Sequence, residues 1–549
     1  MRASSLRSLF LLSTLLALLA VSQAQVAVNG RITGVVRDIS GAVVEGATIE
    51  VRSPALIGAR TVVTQAGGVY LMEQLPAGTY TVTCKQDGFE THSEGGIVLR
   101  PGFTATINLN LQPGSTSTMV EVTGSAPLID VQAAAAPTTF DTAVLDNIPS
   151  GRDPWSTIAQ TPGASLGNFD VAGSNMAQQT GTSIHGSKSS EQAYSFNGLN
   201  LSWPGGSGGS TAFYVDYDSF DAIQLVTDAA PPEVSVGGAY INMVTKSGSN
   251  NIHGMLSTYY LTDATQATLT PPSFTPINGS PTTVSNAGTP FIMSRDLTAQ
   301  AGGPIIKDKL WLFAGYRFYV TKMQQLQIRN PDGGFGTDPN HQTNGTVRLD
   351  YRINDSNTFN GVWLYNIQNR FIRRSTAYSF VETNAANRQI EPAYALQSQW
   401  VSTLSPTLLL DTRVGYMHLH FDMQRQPGVG SDVLSVADVG ASTLRNAAQT
   451  YTLSRSGMFR AASSLSWFKA GWGGSHNFKV GGDWALASAN QDTTVNQDIN
   501  VFYNNGDAFQ VRAYNTPITS QSLWRSGSFF LQDAWSIKQR LTLNVGFRY

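Results

Sequence analysis

The feature that most constrains this chain is a period-two alternation of apolar and polar residues running through its C-terminal half. In Thr346 to Ile353, Val347, Leu349, Tyr351 and Ile353 take one face, while Arg348, Asp350 and Arg352 take the other. In Leu541 to Tyr549, Leu541, Leu543, Val545, Phe547 and Tyr549 oppose Thr542, Asn544, Gly546 and Arg548. Successive strand side chains point to opposite faces, so each run has one apolar and one polar face. Membrane strands alternate in this way over about ten residues, apolar toward lipid and polar toward lumen. A charge on the lipid face costs roughly 2–4 kcal/mol at the midplane, which assigns Arg348, Asp350 and Arg352 to the inside. The aromatics Trp311, Trp363, Tyr365 and Tyr416 lie on similar runs and suit interfacial girdles. A soluble sandwich alternates too, so periodicity alone leaves both classes open.

Connection lengths separate them. Tight joints fall at Lys307-Asp308-Lys309, Asn354-Asp355-Ser356-Asn357, Ser405-Pro406-Thr407, Gly473-Gly474-Ser475 and Lys538-Gln539-Arg540. Between them lie long polar connections, roughly 262–294, 321–344, 369–391, 423–452 and 488–522. Short turns alternating with long loops mark an outer-membrane barrel, with the short side toward the periplasm. The strands from Ile252 onward number about eleven, whereas single-chain bacterial barrels have an even number. The final strand also ends on the long-loop side, so the reading is of a chain that holds only part of its barrel.

Composition removes other classes. The 549 residues carry 35 Lys plus Arg against 37 Asp plus Glu, a net charge of -2, and no basic stripe that would mark a nucleic-acid binder. Charged residues at 13% and 52 glycines disfavour coiled coils, and a single cysteine, Cys84, removes disulfide frameworks and Cys-cluster metal sites. At the N-terminus, Arg2 and Arg7 precede the apolar stretch Leu9 to Val21 and the small-residue end Ser22-Gln23-Ala24. This is a signal peptide, residues 1–24, too short to span a membrane, so the chain is exported.

From Arg31 to Leu111, seven short strand-like runs are separated by turns such as Asp38-Ile39-Ser40-Gly41, Ala66-Gly67-Gly68 and Pro76-Ala77-Gly78. That spacing predicts a seven-stranded β-sandwich. The order Gly34-Val35-Val36-Arg37-Asp38, Ser40 to Ala47, Gly68-Val69-Tyr70, Leu75 to Tyr80 and Asp87-Gly88-Phe89 resembles the carboxypeptidase regulatory-like domain. Zinc peptidase chemistry does not follow, because His92 is the segment's one histidine. Tyr70, Tyr80 and Phe89 read as core.

Beyond a joint at Pro113 to Thr118, the run Met119-Val120-Glu121-Val122-Thr123 reads either as a last local strand or as a strand that adds to a partner's sheet edge. Residues from about Leu145 to Gly254 then carry Ile148-Pro149-Ser150-Gly151-Arg152, His185-Gly186-Ser187, Ser195-Phe196-Asn197-Gly198-Leu199-Asn200, Ile223 to Thr227 and Gly237 to Gly248. These resemble the plug of TonB-dependent outer-membrane transporters, and with the sandwich in front they resemble the Oar-like branch. The run Ala301 to Phe313 is similar to the first hairpin of that branch's barrel. The resemblance implies a barrel of 22 strands, an extracellular ligand, and TonB as the energy-coupling partner contacting Thr118, Met119, Val120, Glu121 and Val122.

Other motifs carry less. Gly205-Gly206-Ser207-Gly208-Gly209 satisfies Gly-x-Ser-x-Gly but lacks the strand before and helix after that a nucleophile elbow needs, and reads as a flexible loop. His418-Leu419-His420 puts two imidazoles on one strand face without further readable ligands. No catalytic residue, metal site or cofactor is assigned, and ligand-binding residues stay unassigned. The reading is mainly β: signal peptide 1–24, sandwich 25–112, linker 113–137, plug 138–252 and part of a transmembrane antiparallel β-barrel, 253–549. The function it implies is an outer-membrane TonB-dependent receptor or transporter. The alternatives are a surface adhesion or structural protein on the same barrel, or a secreted soluble β-protein.

Overall fold

The computed structural model describes residues 30–549 apart from 55, 57, 77, 101–102, 115–118, 124–136, 149, 168–177, 205–209, 212, 228–229, 231, 235–236, 266–272, 275–281, 284–290, 375 and 538–540. The signal peptide, Thr118, the loop Gly205 to Gly209 and the joint Lys538 to Arg540 thus lie outside the described residues. No helix among the described residues is long and apolar enough to cross a membrane.

The sandwich comprises β1 (Gly30–Asp38), β2 (Thr48–Arg52), β3 (Arg60–Val63), β4 (Val69–Leu75), β5 (Gly78–Lys85), β6 (Thr91–Leu99), β7 (Thr104–Thr106), β8 (Leu109–Leu111) and β9 (Met119–Thr123). One sheet runs β4-β1-β7, with β8 also on β1, and the other runs β3-β2-β5-β6-β9. Alternation along β5 buries Tyr80, Val82 and Cys84 against Ile32, Ile49, Tyr70 and Leu109, so Tyr70 and Tyr80 are core. The tight turn after β1 is held by the Asp38 carboxylate, which accepts from the Ser40 and Ala42 backbone N–H groups at 2.8 and 2.9 Å.

Three differences from the seven-strand expectation have physical causes. The run from Thr104 to Leu111 splits into β7 and β8 because the Asn108 side chain accepts from Val35 N at 3.0 Å and displaces the ladder. Strand β6 starts at Thr91 rather than Ile97, since pairing with β5 carries the polar residues Thr91 and Ser93 into the interior. Finally, Met119 to Thr123 joins the sheet as β9, parallel to β6 from Thr91↔Met119 to Gly95↔Thr123.

The plug contains β10 (Thr138–Asp141), β11 (Ala164–Leu166), β12 (Thr182–Ile184), β13 (Ala193–Phe196), β14 (Leu199–Asn200), β15 (Phe220–Val226) and β16 (Tyr240–Thr245). Five of them form a sheet ordered β10-β15-β16-β13-β14. Two short helices, α1 (Thr142–Leu145) and α2 (Pro154–Ile158), start at Asp141 and Asp153, whose carboxylates accept from Val144 N and Ser156 N.

The remaining elements are β17 (His253–Thr262), β18 (Ser273–Phe274), β19 (Thr282–Thr283), β20 (Phe291–Ile306), β21 (Leu310–Arg329), β22 (Phe335–Asn354), β23 (Asn357–Arg373), β24 (Phe380–Glu382), β25 (Asn387–Ser405), β26 (Leu408–Gln424), β27 (Ser435–Asp438), β28 (Thr443–Arg445), β29 (Tyr451–Ala470), β30 (Ser475–Thr494), β31 (Ile499–Asn504), β32 (Asp507–Ala513), β33 (Ile518–Ile537) and β34 (Leu541–Arg548). Eleven of these, β17, β20 to β23, β25, β26, β29, β30, β33 and β34, pair antiparallel with the next in that order. Among the described residues the ribbon is open: β17 pairs only with β20, and β34 only with β33.

The two faces fall as the alternation predicts. Along β22, Asp338, Asn340, Gln342, Asn344, Thr346 and Asp350 are buried toward the plug, while Leu349 and Ile353 are exposed on the outer face. Trp363 and Tyr365 stack on the outer face with ring centroids 5.9 Å apart, and Tyr416 is exposed there as well. Trp311 departs from the girdle assignment. It is buried on the inner face, where its indole N–H donates to Asn250 Oδ1 at 2.8 Å.

The long connections are not structureless. Strands β24, β27, β28, β31 and β32 extend the end of β21 as a small sheet ordered β32-β31-β27-β28-β24-β21. Ile328, Val381, Leu444 and Phe502 form its apolar core. At the opposite end, where the tight turns lie, the sandwich meets the barrel, and Asn477 Nδ2 donates to Glu73 Oε1 at 2.8 Å.

Candidate functional site

The site of interest is the contact of the plug with the inner barrel wall, together with the strand that leads into it. The plug core, with Phe196, Leu199, Phe213 and Ile241, is continuous with Val362, Leu364, Ala393, Met417 and Leu419 of the wall. Small and medium apolar groups meet here, and polar latches surround them.

The first latch centres on Arg152, the last residue of the Ile148 to Arg152 motif, whose backbone sits at φ +57°. That left-handed conformation is uncommon for a residue with a Cβ and turns the side chain toward the wall. Arg152 Nε donates to Asp296 Oδ2 of β20 at 2.7 Å, its Nη2 donates to Asp218 Oδ2 of the plug, and the guanidinium lies 3.9 Å from the Tyr259 ring centroid. Arg317 of β21 completes the cluster, bonding both Asp296 oxygens at 2.8 and 2.7 Å. Nearby, Asp216 of the plug is buried, and its carboxyl is pushed up by desolvation against the downward pull of Arg317.

The second latch uses the Phe196-Asn197-Gly198 turn. Arg413 Nη1 of β26 donates to Asn197 O at 2.9 Å, while Asn197 Oδ1 accepts from Thr245 N at 3.0 Å. Arg348 of β22 donates to Thr245 O at 2.7 Å. The third holds Pro232 and Glu233 of the plug: Lys479 pairs with Glu233, and Arg548 Nη1 donates to Pro232 O and Glu233 O at 3.2 and 3.1 Å. The first latch thus joins a plug cation to a barrel carboxylate, and the other two join plug backbone or carboxylate groups to barrel cations.

Toward the long-loop side, the plug presents Trp203 and Tyr214. The Trp203 ring lies 5.5 Å from that of Phe421, and its N–H donates to Ser456 Oγ at 3.2 Å. Around them the wall brings Arg373, whose guanidinium lies 5.2 Å from the Phe421 centroid, Arg370 bonded to Asp338 at 2.6 Å, and buried Glu391. Sequence reasoning assigned no ligand residue here. The cluster Arg370, Arg373 and Arg374 was the available signal, but its inward aim depends on a register shift between Arg370 and Arg373.

Toward the tight-turn side, a cavity of about 530 Å³ opens between Leu56 and Arg60 of the sandwich, Thr245 and Lys246 of the plug, and Arg348 of the wall. The run Met119 to Val122 is β9 on the sandwich sheet, and the connection from it to the plug lies outside the described residues.

The other singled-out residues do not assemble. His92 is on β6, its pKa lowered by burial, and no group of three His, Cys, Asp or Glu among the described residues is placed to hold a metal. His418 and His420 approach each other, Nε2 to Nε2 at 2.8 Å, on the outer face, since intervening Leu419 packs into the plug core.

Comparison with known proteins accounts for this assembly. Residues 31–112 match the carboxypeptidase regulatory-like domain, and residues 321–549 match the outer membrane beta barrel domain. The chain is 32% identical over 282 residues, 51% of its length, to the TonB-dependent transporter Oar of Myxococcus xanthus. The chain thus resembles an Oar-like TonB-dependent transporter over the matched residues and carries an outer membrane beta barrel domain. Its fold is similar to the outer membrane transporter YddB of Escherichia coli, with TM-score 0.56 and 15% identity over 75% of this chain. It is also similar to a mutant ferric enterobactin receptor, PfeA, of Pseudomonas aeruginosa, with TM-score 0.51, 13% identity and 76% of this chain covered. The matches span 25% of Oar, 56% of YddB and 57% of PfeA, so the chain corresponds to only part of its relatives' lengths. The outer-membrane setting overturns the soluble secreted alternative.

Proposed function

We propose that the chain serves in a receptor that takes an extracellular ligand at the Trp203 and Tyr214 face of the plug and passes it inward when TonB pulls the plug. The observation that carries this reading is the latch arrangement. Plug and wall are joined by hydrogen-bonded ion pairs around a modest apolar contact, and the cavity beneath gives the plug a direction in which to yield. Polar contacts of this kind can be exchanged for water, so the seated and displaced plug form two states that a pull biases. The coupling segment in this reading is Thr118, Met119, Val120, Glu121 and Val122, and a pull on it first has to strip β9 from β6 or extend the sheet across it. The reading includes no enzyme activity and no cofactor.

The test is deletion of Thr118 to Thr123 with surface display held normal. Ligand binding should persist while energy-dependent accumulation is lost; unchanged accumulation would sink the coupling role. The adhesion reading draws on the exposed strand β32, where Phe509 and Val511 face solvent. It predicts binding that no energy poison alters.

A further inference from the structure

The sandwich lies across the mouth framed by the tight turns of the barrel. Gly58, at φ +72°, packs its backbone against the guanidinium of Arg352 at the end of β22. A cavity of about 490 Å³ lies between Thr61 and Leu71 of the sandwich, Ser356 in the β22–β23 turn and Pro406 in the β25–β26 turn. Beside the β29–β30 turn, Glu73 accepts from Asn477, and a Cβ on Gly471 would lie 3.7 Å from that of Ala66. Three consecutive tight turns of the wall therefore meet one domain, and Arg100 of the same domain lies 4.0 Å from Asp141 of the plug.

This seam is of a kind that can part. The apolar cluster of the sandwich is separate from the one that joins plug and wall, so among the described residues no shared core crosses it. The contacts named above are polar or between small groups, and cavities of about 490 and 530 Å³ lie along them, where a fixed interior would be close-packed. Loose, polar contacts between domains permit relative motion. The larger cavity is the vestibule beneath the plug: Thr245 and Lys246 line its plug side, and Leu56 and Pro76 of the sandwich line the side facing them. Its volume is in the range that holds a small ligand, so a solute that passes the plug here meets the sandwich next.

We propose that the sandwich is a second gate in series with the plug, closed when it is docked on the three turns and opened by a pull through β9. This rests on the coupling role given above to Met119 to Val122. Strand β9 is paired with β6 from Thr91↔Met119 to Gly95↔Thr123 and is the last strand of its sheet. When the sheet is extended across β9, the load enters β6 and the closed core behind it. That core resists separation, while the Glu73–Asn477 bond and the Arg352 contact can be exchanged for water, so the domain leaves the turns as a unit. The pull then reaches the plug through the connection from Thr123 to Thr138, with the vestibule already open.

The protein purified from outer membranes and held in a planar bilayer tests this, with potassium current as the probe. A bead on a biotin tag inserted before Thr118 supplies the pull from the tight-turn side. Ala66→Cys with Gly471→Cys places two Cβ atoms within disulfide reach, and Cys84 is buried away from them. With the pair reduced, the pull should raise the current; oxidation should abolish the rise, and reduction should restore it. A rise of equal size in both redox states would overturn the gate and leave the coupling role standing, whereas no rise in either state would overturn the coupling role as well. Gly471 has φ +92°, which strains any side chain placed there, so Gly471→Cys alone is the folding control, read by heat-modifiable mobility. Glu73→Cys with Asn477→Cys, joined by a bismaleimide, repeats the test with that turn left intact.

Discussion

The sandwich and the plug are both small β domains, yet they are held together by opposite means. The sandwich closes on itself, with Ile32, Ile49, Leu75, Tyr80 and Val82 fully buried between its two sheets. The plug completes its core only against the barrel, sharing cluster contacts with Val362, Ala393 and Met417, and its rim is held by Arg152, Arg348, Arg413 and Lys479. An apolar core that excludes water separates only by unfolding, whereas a rim of ion pairs can be opened one group at a time. The difference teaches that the sandwich is suited to transmit a force and the plug to respond to one.

The largest effect that could break this comparison comes from Arg152→Met. It leaves Asp218 buried beside no cation partner and should weaken plug seating by about 3–5 kcal/mol. Protease sensitivity of the plug should rise while the sandwich stays protected; equal loss in both would break the contrast. Next, Ile49→Ala should cost the sandwich about 2–5 kcal/mol and lower its unfolding midpoint, with plug protection unchanged. On the wall, Leu349→Arg faces lipid and should cost roughly 2–4 kcal/mol in barrel stability, measured in reversible unfolding from vesicles. Gln342→Lys on the inner face should spare lipid insertion and instead disturb the plug.

The smallest effect sharpens the comparison through pH. Asp153 and Asp216 of the plug have carboxyl groups pushed up by burial, so the folded plug holds protons more tightly than the unfolded chain. Their contribution is therefore most favourable at low pH and declines as pH rises through the carboxylate range. Asp38 of the sandwich is lowered, chiefly by the Ser40 hydroxyl and its backbone donors, so its contribution is present above the ordinary value and lost as pH falls. As pH falls from about 7 to about 4.5, plug protection should increase while the turn at Asp38 to Ala42 is unchanged, and that turn should loosen only below the ordinary carboxylate value, read as amide protection factors corrected for the intrinsic pH dependence of exchange.

Much of the architecture was legible because period-two patterning is a local signal. Val347, Leu349 and Ile353 against Thr346, Arg348 and Asp350 assign both faces of β22 before any coordinate is seen. Trp311 was misassigned for the complementary reason: an aromatic on an alternating run fits either face, and the hydrogen bond to Asn250 that turns it inward comes from a distant segment. The small outer sheet escaped notice because β24, β27 and β28 are short polar-flanked runs that acquire strand character only by pairing with one another. The latches were hidden for the same cause. Arg152 and Asp296 are far apart in sequence, and neither belongs to a motif that announces an ion pair.

The central claim is that the plug must leave its seat, and a reversible tether tests it most directly. Ser257 Oγ of β17 donates to Asp218 Oδ2 of the plug at 3.3 Å, so Ser257→Cys with Asp218→Cys places two thiols across the joint, and Cys84 is buried away from them. With the tether oxidised, cells should bind ligand normally but fail to accumulate it, and reduction should restore uptake. Full energy-dependent accumulation with the tether intact would contradict the account.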